Sequence, residues 1–178
     1  FNQSDLAAHL TAPRSVVFRL GRLSAGAFGI GMTACDNVVA YREGQGPANL
    51  TGAKDFRAVM GATQIELAFV VDAKIKGYAD LRGKSIALDA LATGFAFVLY
   101  EMLARNGLST DDVEMVAVGA TPQRWQSVKE GEHVGTLTIE PFTSVAQAAG
   151  CSVLEVSSNV VDGYQGGCVA VSQQWAQK

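Results

Sequence analysis

The stretch from Ser85 to Gly107 reads SIALDALATGFAFVLYEMLARNG, and its reading decides the fold. Ser85 to Leu88 is short and apolar, the pattern of a strand buried on both faces. From Gly94 to Ala104 the apolar residues Phe95, Val98, Leu99, Met102 and Leu103 recur at helical spacing, and Asn106-Gly107 supplies a helix stop. A strand therefore runs into a helix. The same unit repeats downstream. Val113 to Val118 is a strand, Thr121-Pro122 opens a helix as N-cap and first-turn proline, and Gly131 follows its end. Val134 to Ile139 is a strand, Thr143 to Ala149 a helix before Gly150, and Val153 to Val156 a strand. Successive β-α units imply an α/β fold, a mainly parallel sheet with helices on both faces.

Working outward, Val16, Val17, Leu20 and Leu23 mark a helix that stops at Gly26, and Phe28 to Thr33 is β-like. Asn37 to Arg42 reads as a second helix. Arg57 to Gly61 and Ile65 to Val71 are extended, and Asp72 to Lys84 is a polar connection. Gly166-Gly167 leads into Cys168 to Ser172, a strand that breaks the alternation. There is no internal repeat and no low-complexity segment.

A net charge of −3 and a pI near 5.3 leave no basic footprint for nucleic acid or an anionic membrane surface, so neither partner is favoured. No stretch has the length of a membrane span, and Phe1-Asn2-Gln3-Ser4-Asp5 has no signal-peptide character. Because the chain does not start with methionine, it is expected to begin inside a longer reading frame or after processing. Cys35, Cys151 and Cys168 are odd in number and lack C-x-x-C spacing, which argues against a disulfide framework or zinc site and for small buried hydrophobes. Asn49-Leu50-Thr51 is a glycosylation sequon, a pattern short enough to arise by chance.

Two motifs point to nucleotide chemistry and fail on context. Gly29-Ile30-Gly31-Met32-Thr33-Ala34 fits G-x-G-x-x-A with Asp55 downstream, but a helix precedes the glycines and they lie within the strand, so no helix N-terminus receives a pyrophosphate. Gly83-Lys84-Ser85 resembles the end of a P-loop, yet Tyr78 stands where the first glycine is required. No cofactor and no metal are expected.

In open α/β sheets, ligands bind beyond the carboxyl ends of strands, where helix N-termini present free N–H groups. Four junctions carry suitable residues. Thr33 and Asn37 can hydrogen-bond a ligand, and Asp36 could do so or cap a helix. Asp89, Thr93, Gly94 and Phe95 combine a carboxylate, a hydroxyl, an approachable backbone and an aromatic ring, which favours binding over capping. Thr121, Gln123 and Arg124 offer polar groups, with Arg124 suited to a ligand anion or to a surface carboxylate. Trp125, spaced with Val128, belongs to the core. Glu140 and Phe142 put a carboxylate beside an aromatic, where an amine or ring N–H could donate. Tyr164 and Gln165 stand before Gly166-Gly167, as binders or as hinge packing. A catalytic reading has little to use: His9 lies in the N-terminal stretch, His133 in a charged turn, neither near an obvious nucleophile, and no hydrolase, zincin or paired-carboxylate signature occurs.

At these junctions the sequence resembles the periplasmic substrate-binding proteins of the nitrate, sulfonate and taurine type, including those that bind thiamine pyrimidine precursors. The resemblance is carried by residues 31–40 (GMTACDNVVA), 75–84 (IKGYADLRGK), 86–90 (IALDA), 118–124 (VGATPQR), 140–142 (EPF) and 163–167 (GYQGG), in order along nearly the whole chain. It implies a type II periplasmic-binding-protein-like fold. Residues 1–76 plus 164–178 would form a first lobe with the hinge strands, residues 77–163 a second, and solute would lie between them. Ile65 to Val71 and Cys168 to Ser172 would neighbour the hinge. It further implies a non-enzymatic ABC-importer component, periplasmic or lipid-anchored outside the inner membrane, that hands a small organic anion or heteroaromatic compound to a permease. Relatives carry further terminal elements, so the first lobe is expected to be incomplete and to expose apolar surface and sheet edge, favouring self-association. Two other readings share the architecture: the effector region of a LysR-type regulator, whose upstream DNA-binding segment is not in this chain, and a pyrimidine-synthase-like enzyme, whose reactive histidine and cysteine motif are not found.

Overall fold

Helix α1 spans Val16–Ser24 and β1 Ile30–Ala34; α2 covers Cys35–Arg42, β2 Phe56–Thr63 and β3 Ala68–Val71. Then come β4 Ser85–Leu88, α3 Gly94–Arg105, β5 Glu114–Ala117, α4 Thr121–Lys129, β6 Gly135–Thr138, α5 Phe142–Ala148 and β7 Ser152–Val156, with β8 Gly167–Ser172 and the short α6 Gln173–Ala176 closing the chain. The computed structural model describes residues 16–47, 50 and 55–177; His9 and the sequon residues Asn49 and Thr51 lie outside the described residues.

The strands make two sheets, one of order β5-β4-β6-β3-β7 and one of order β1-β8-β2. The α/β fold read from the sequence is present, with helices flanking a mixed sheet and a smaller antiparallel one. Parallel pairing is confined to β4 with β5 and β4 with β6, where α3 and α4 supply the crossovers that parallel neighbours need. Strand β3 instead runs antiparallel to β6 and β7, and the small sheet is antiparallel throughout. The sequence pattern of successive β-α units does not reveal this, because β3 is inserted between β6 and β7, which are joined through α5. The passage of the chain between the sheets follows from the same topology. Since β3 belongs to the larger sheet, the chain first crosses between Thr63 and Ala68, not near residue 76. It returns between β7 and β8, and there Leu67 and Ser157 pair through both their backbones and the Ser157 hydroxyl.

Helix α3 forms for the reasons its sequence suggests. Thr93 caps it by accepting from the Ala96 N–H, and Val98, Leu99, Met102 and Leu103 form its buried stripe. That stripe packs with Phe69, Ile86, Leu88 and Leu137 in the main core, while Ala68, Val70, Trp125, Val128 and Ala146 fill the opposite face of the sheet. Trp125 is thus a core residue, as expected. The small sheet packs Cys168, Ala170 and Phe56 against Leu20 and Leu23 of α1 and Val38 and Tyr41 of α2. Its other face is only partly covered: Val171 is buried there, but Ile30, Met32 and Met60, with Val59 at a bulge in β2, are 53–60% exposed, and β1 and β2 are its edges. Gly31 lies inside β1, so the glycines of the G-x-G-x-x-A match serve a strand. Gly83 makes a left-handed turn, with φ of 68°.

His133 departs from its expected isolation. Its Nδ1 is 2.7 Å from the Ser85 Oγ, and the Val134 N–H donates to the Ser85 carbonyl. The pair extends the β4–β6 ladder at the end of the strands away from the junctions that carry the candidate binding residues.

Candidate functional site

Between the two sheets lies a cavity of about 430 Å³, within the roughly 300–1,000 Å³ of small-molecule sites. Its walls come from both sides: Arg19, Thr33 and Asn37 from the small sheet and its helices, Asp89, Phe95, Thr121, Arg124, Glu140 and Phe142 from the larger one. Eight of the fourteen residues expected from the sequence therefore line one cavity: Thr33, Asn37, Asp89, Phe95, Thr121, Arg124, Glu140 and Phe142. They converge because strands β4, β5 and β6 run parallel and end at the same level, while β1 delivers α2 to face them.

The other six do not line it, and five of them have a structural duty. Thr93, read as a ligand contact, is fully buried; it caps α3 and donates to the Asp89 carboxylate at 2.8 Å. The Gly94 N–H donates to the Asn37 Oδ1 at 2.8 Å, a bond between the two halves of the molecule. Asp36 is not a cap either: Ala34 holds that position without a side-chain bond, and the Asp36 carboxylate accepts from the Tyr164 hydroxyl at 2.6 Å. Gln165 spends its amide on the carbonyls of Thr63 and Gly167, stapling the outgoing crossing to the returning one. The sixth, Gln123, is exposed in the first turn of α4.

Two glycines are required by close approach. A Cβ on Gly94 would lie 1.7 Å from the Asp36 Oδ1, so only glycine lets the first turn of α2 rest on the first turn of α3. A Cβ on Gly166 would lie 2.3 Å from the Ile65 Cβ, where the two crossing segments touch.

Arg124 is 2% exposed and meets no carboxylate at ion-pair distance among the described residues, so the surface-carboxylate alternative is not realised. Its guanidinium donates to the Thr136 Oγ1, the Gly119 and Leu137 carbonyls and the Thr121 Oγ1. Thr121 is consequently an acceptor for arginine within the first turn of α4 and not the cap, which is Ala120. Burial lowers the Arg124 pKa and the Asp89 charge partly restores it.

Arg19 escaped the sequence reading. It lines the cavity from α1, and its Nε is buried without a hydrogen-bond partner. Burial lowers its pKa, and Asp89 again opposes that. The signal was present: Val16, Arg19, Leu20 and Leu23 fall at i, i+3, i+4 and i+7, so an arginine occupies the buried stripe of an amphipathic helix. The cavity is thus lined by two arginines, Arg19 and Arg124, by the Asp89 carboxylate and by the rings of Phe95 and Phe142. Such a surface can pair an anionic group, stack a flat ring and accept an N–H.

A model described as the NMT1-like family matches residues 7–178. Similar solved structures include the alkanesulfonate-binding protein SsuA of Xanthomonas axonopodis pv. citri bound to MOPS, 19% identical over 94% of this chain and 55% of that one, with a TM-score of 0.73. The periplasmic nitrate-binding protein NrtA of Synechocystis PCC 6803 is 11% identical over 93% of this chain and 47% of that one, with a TM-score of 0.75. The periplasmic aliphatic sulphonate binding protein SsuA of Escherichia coli is 19% identical over 93% of this chain and 54% of its own, with a TM-score of 0.64. The chain spans about half the length of these proteins, and the likeness is one of fold. No curated protein matches it.

Proposed function

The chain belongs to the NMT1-like family, and from that premise we propose that it is the solute-binding component of an ABC importer, acting outside the inner membrane without catalysing a reaction. Its ligand is a small organic anion or heteroaromatic compound held between the two sheets and passed to a permease. The observation that carries this reading is the cavity of about 430 Å³ with walls from both sheets, lined by Arg19 on one side and Arg124 on the other. An anionic group that enters the cavity can meet a charge-assisted bond from the Arg19 guanidinium. Phe95 and Phe142 support a flat or apolar remainder of the solute.

The segments 64–67 and 157–166, where the chain crosses between sheets, act as the hinge in this proposal, and closure would strengthen each polar contact by excluding water. The bond from Gly94 to Asn37 supports a closed arrangement in the structure described. Self-association belongs to the same proposal, supported by the exposed apolar side chains of Ile30, Met32, Val59 and Met60.

A thermal-shift screen of sulfonates, nitrate, pyrimidines and flavins tests the reading, because a ligand bound only by the folded state raises the melting temperature. At least one class should raise it. Arg19→Met should weaken an anionic hit by about tenfold to a hundredfold, the equivalent of one charge-assisted bond of about 1.5–3 kcal/mol, while leaving the unliganded melting temperature unchanged. A flat response to every compound would sink the proposed ligand classes.

A further inference from the structure

Cys35 opens α2 directly after β1, and Cys168 is the second residue of β8. The antiparallel register sets Thr33 opposite Cys168 and Ala34 opposite Gly167, and the Cys35 N–H extends the ladder by donating to the Gly166 carbonyl at 3.3 Å. Cys35 therefore lies diagonally across from Cys168, and both pack into the cluster of Leu20, Leu23, Val38 and Tyr41. The thiols are close enough to feel each other's ionisation. Burial, reinforced by Cys35, pushes the Cys168 thiol up to about 12, whereas Cys35 is only partly buried. Cys151 is remote from both, packed beside the cluster of Trp125, Val128 and Ala146.

We propose that Cys35 and Cys168 are an oxidisable pair that closes to an intramolecular disulfide, locking the first turn of α2 onto the returning strand β8. The more exposed Cys35 reacts first: its thiolate attacks one sulfur of a low-molecular-weight disulfide such as oxidised glutathione and displaces one glutathione thiolate. Cys168 then loses its proton and attacks the Cys35 sulfur, displacing the glutathione held there as a second thiolate. Two protein thiols are oxidised, one small disulfide is reduced to two thiols, and the two protons end on the released glutathiones. The bond matters because of its place. Cys35 immediately precedes Asp36 and Asn37, which hold Tyr164 and Gly94, and Cys168 immediately follows the Gly166-Gly167 crossing. A covalent tie at that point anchors the contact between the two halves, and an oxidising compartment is where such a tie persists. This inference does not depend on any solute being bound.

The test exposes the whole chain to oxidised glutathione without reductant and reads intact mass and peptide maps. The wild type and Cys151→Ser should lose two hydrogens, map the bond to Cys35 and Cys168, and melt at a higher temperature, with dithiothreitol reversing all three. Cys168→Ser should stop at a single glutathione adduct on Cys35, and Cys35→Ser should lose both the bond and the thermal gain. A stable glutathione adduct on wild-type protein, a bond through Cys151, interchain dimers, or thiols that stay free would each overturn the proposal.

Discussion

Asp36 sets a charged group where the fold has little water to offer it. One carboxylate oxygen takes the Tyr164 hydroxyl, while the other is buried without a partner against Gly94. Burial is the main cause that raises its pKa above the ordinary 3.8; the bonds from Tyr164 and the backbone oppose the rise, and the Asp89 charge adds to it. The unfolded chain ionises at the ordinary value and the folded chain only at higher pH. Stability from this group is therefore complete below 3.8 and is lost as pH rises through the folded value. Asp36→Asn keeps an acceptor for Tyr164 and removes that loss. The variant should melt above the wild type at neutral pH, with the gap closing as pH falls toward 3.8, measured by calorimetry across a pH series. An unchanging gap would assign the difference to packing.

At the scale of elements, the turn from β5 into α4 is held by Arg124 more than by any cap. Its guanidinium reaches the carbonyl of Gly119 before the helix, the hydroxyl of Thr121 in its first turn, and Thr136 and Leu137 on β6. Arg124→Met keeps the aliphatic bulk but strands buried carbonyls. It should cost about 3 kcal/mol in urea unfolding, the upper end for leaving a buried polar group unsatisfied, and it should also displace the α4 first turn from the cavity wall. A loss indistinguishable from zero would mean that water takes over these acceptors. The crossing segments form a second such unit, with Gln165 bonded to Thr63 and Gly167 and with Gly166 pressed on Ile65. These contacts define where the two sheets are joined.

For the whole molecule, the asymmetry between the sheets is the main physical fact. The larger sheet is covered on both faces by apolar clusters, whereas the three-stranded sheet is covered on one face, only partly on the other, and leaves Ile30, Met32, Val59 and Met60 more than half exposed. Exposed apolar area of this kind favours association in water. Light scattering should show mass increasing with concentration, and Met60→Lys, which puts a charge on that face, should suppress the increase. A monomer at every concentration would remove self-association from the proposed behaviour without touching the cavity.

Much of this was legible in the chain, for local reasons. Helix periodicity, N-cap and glycine-stop chemistry, and the recurrence of strand then helix are written in neighbouring residues, and they placed eight cavity residues at strand ends. What the sequence could not determine depended on residues far apart meeting. The antiparallel insertion of β3 between β6 and β7 is a choice of neighbour made by the assembled sheet. Gly94 and Thr93 have the composition of a ligand loop, but Asn37 and Asp89 claim their hydrogen bonds first. Arg19 looked like one more helical arginine until packing removed the solvent around its Nε. Sequence alone determined the elements and the end of the sheet at which the candidate residues gather; the tertiary structure decided which of their polar groups are already spoken for, because a hydrogen-bonding group satisfied within the protein gains little by turning to a solute.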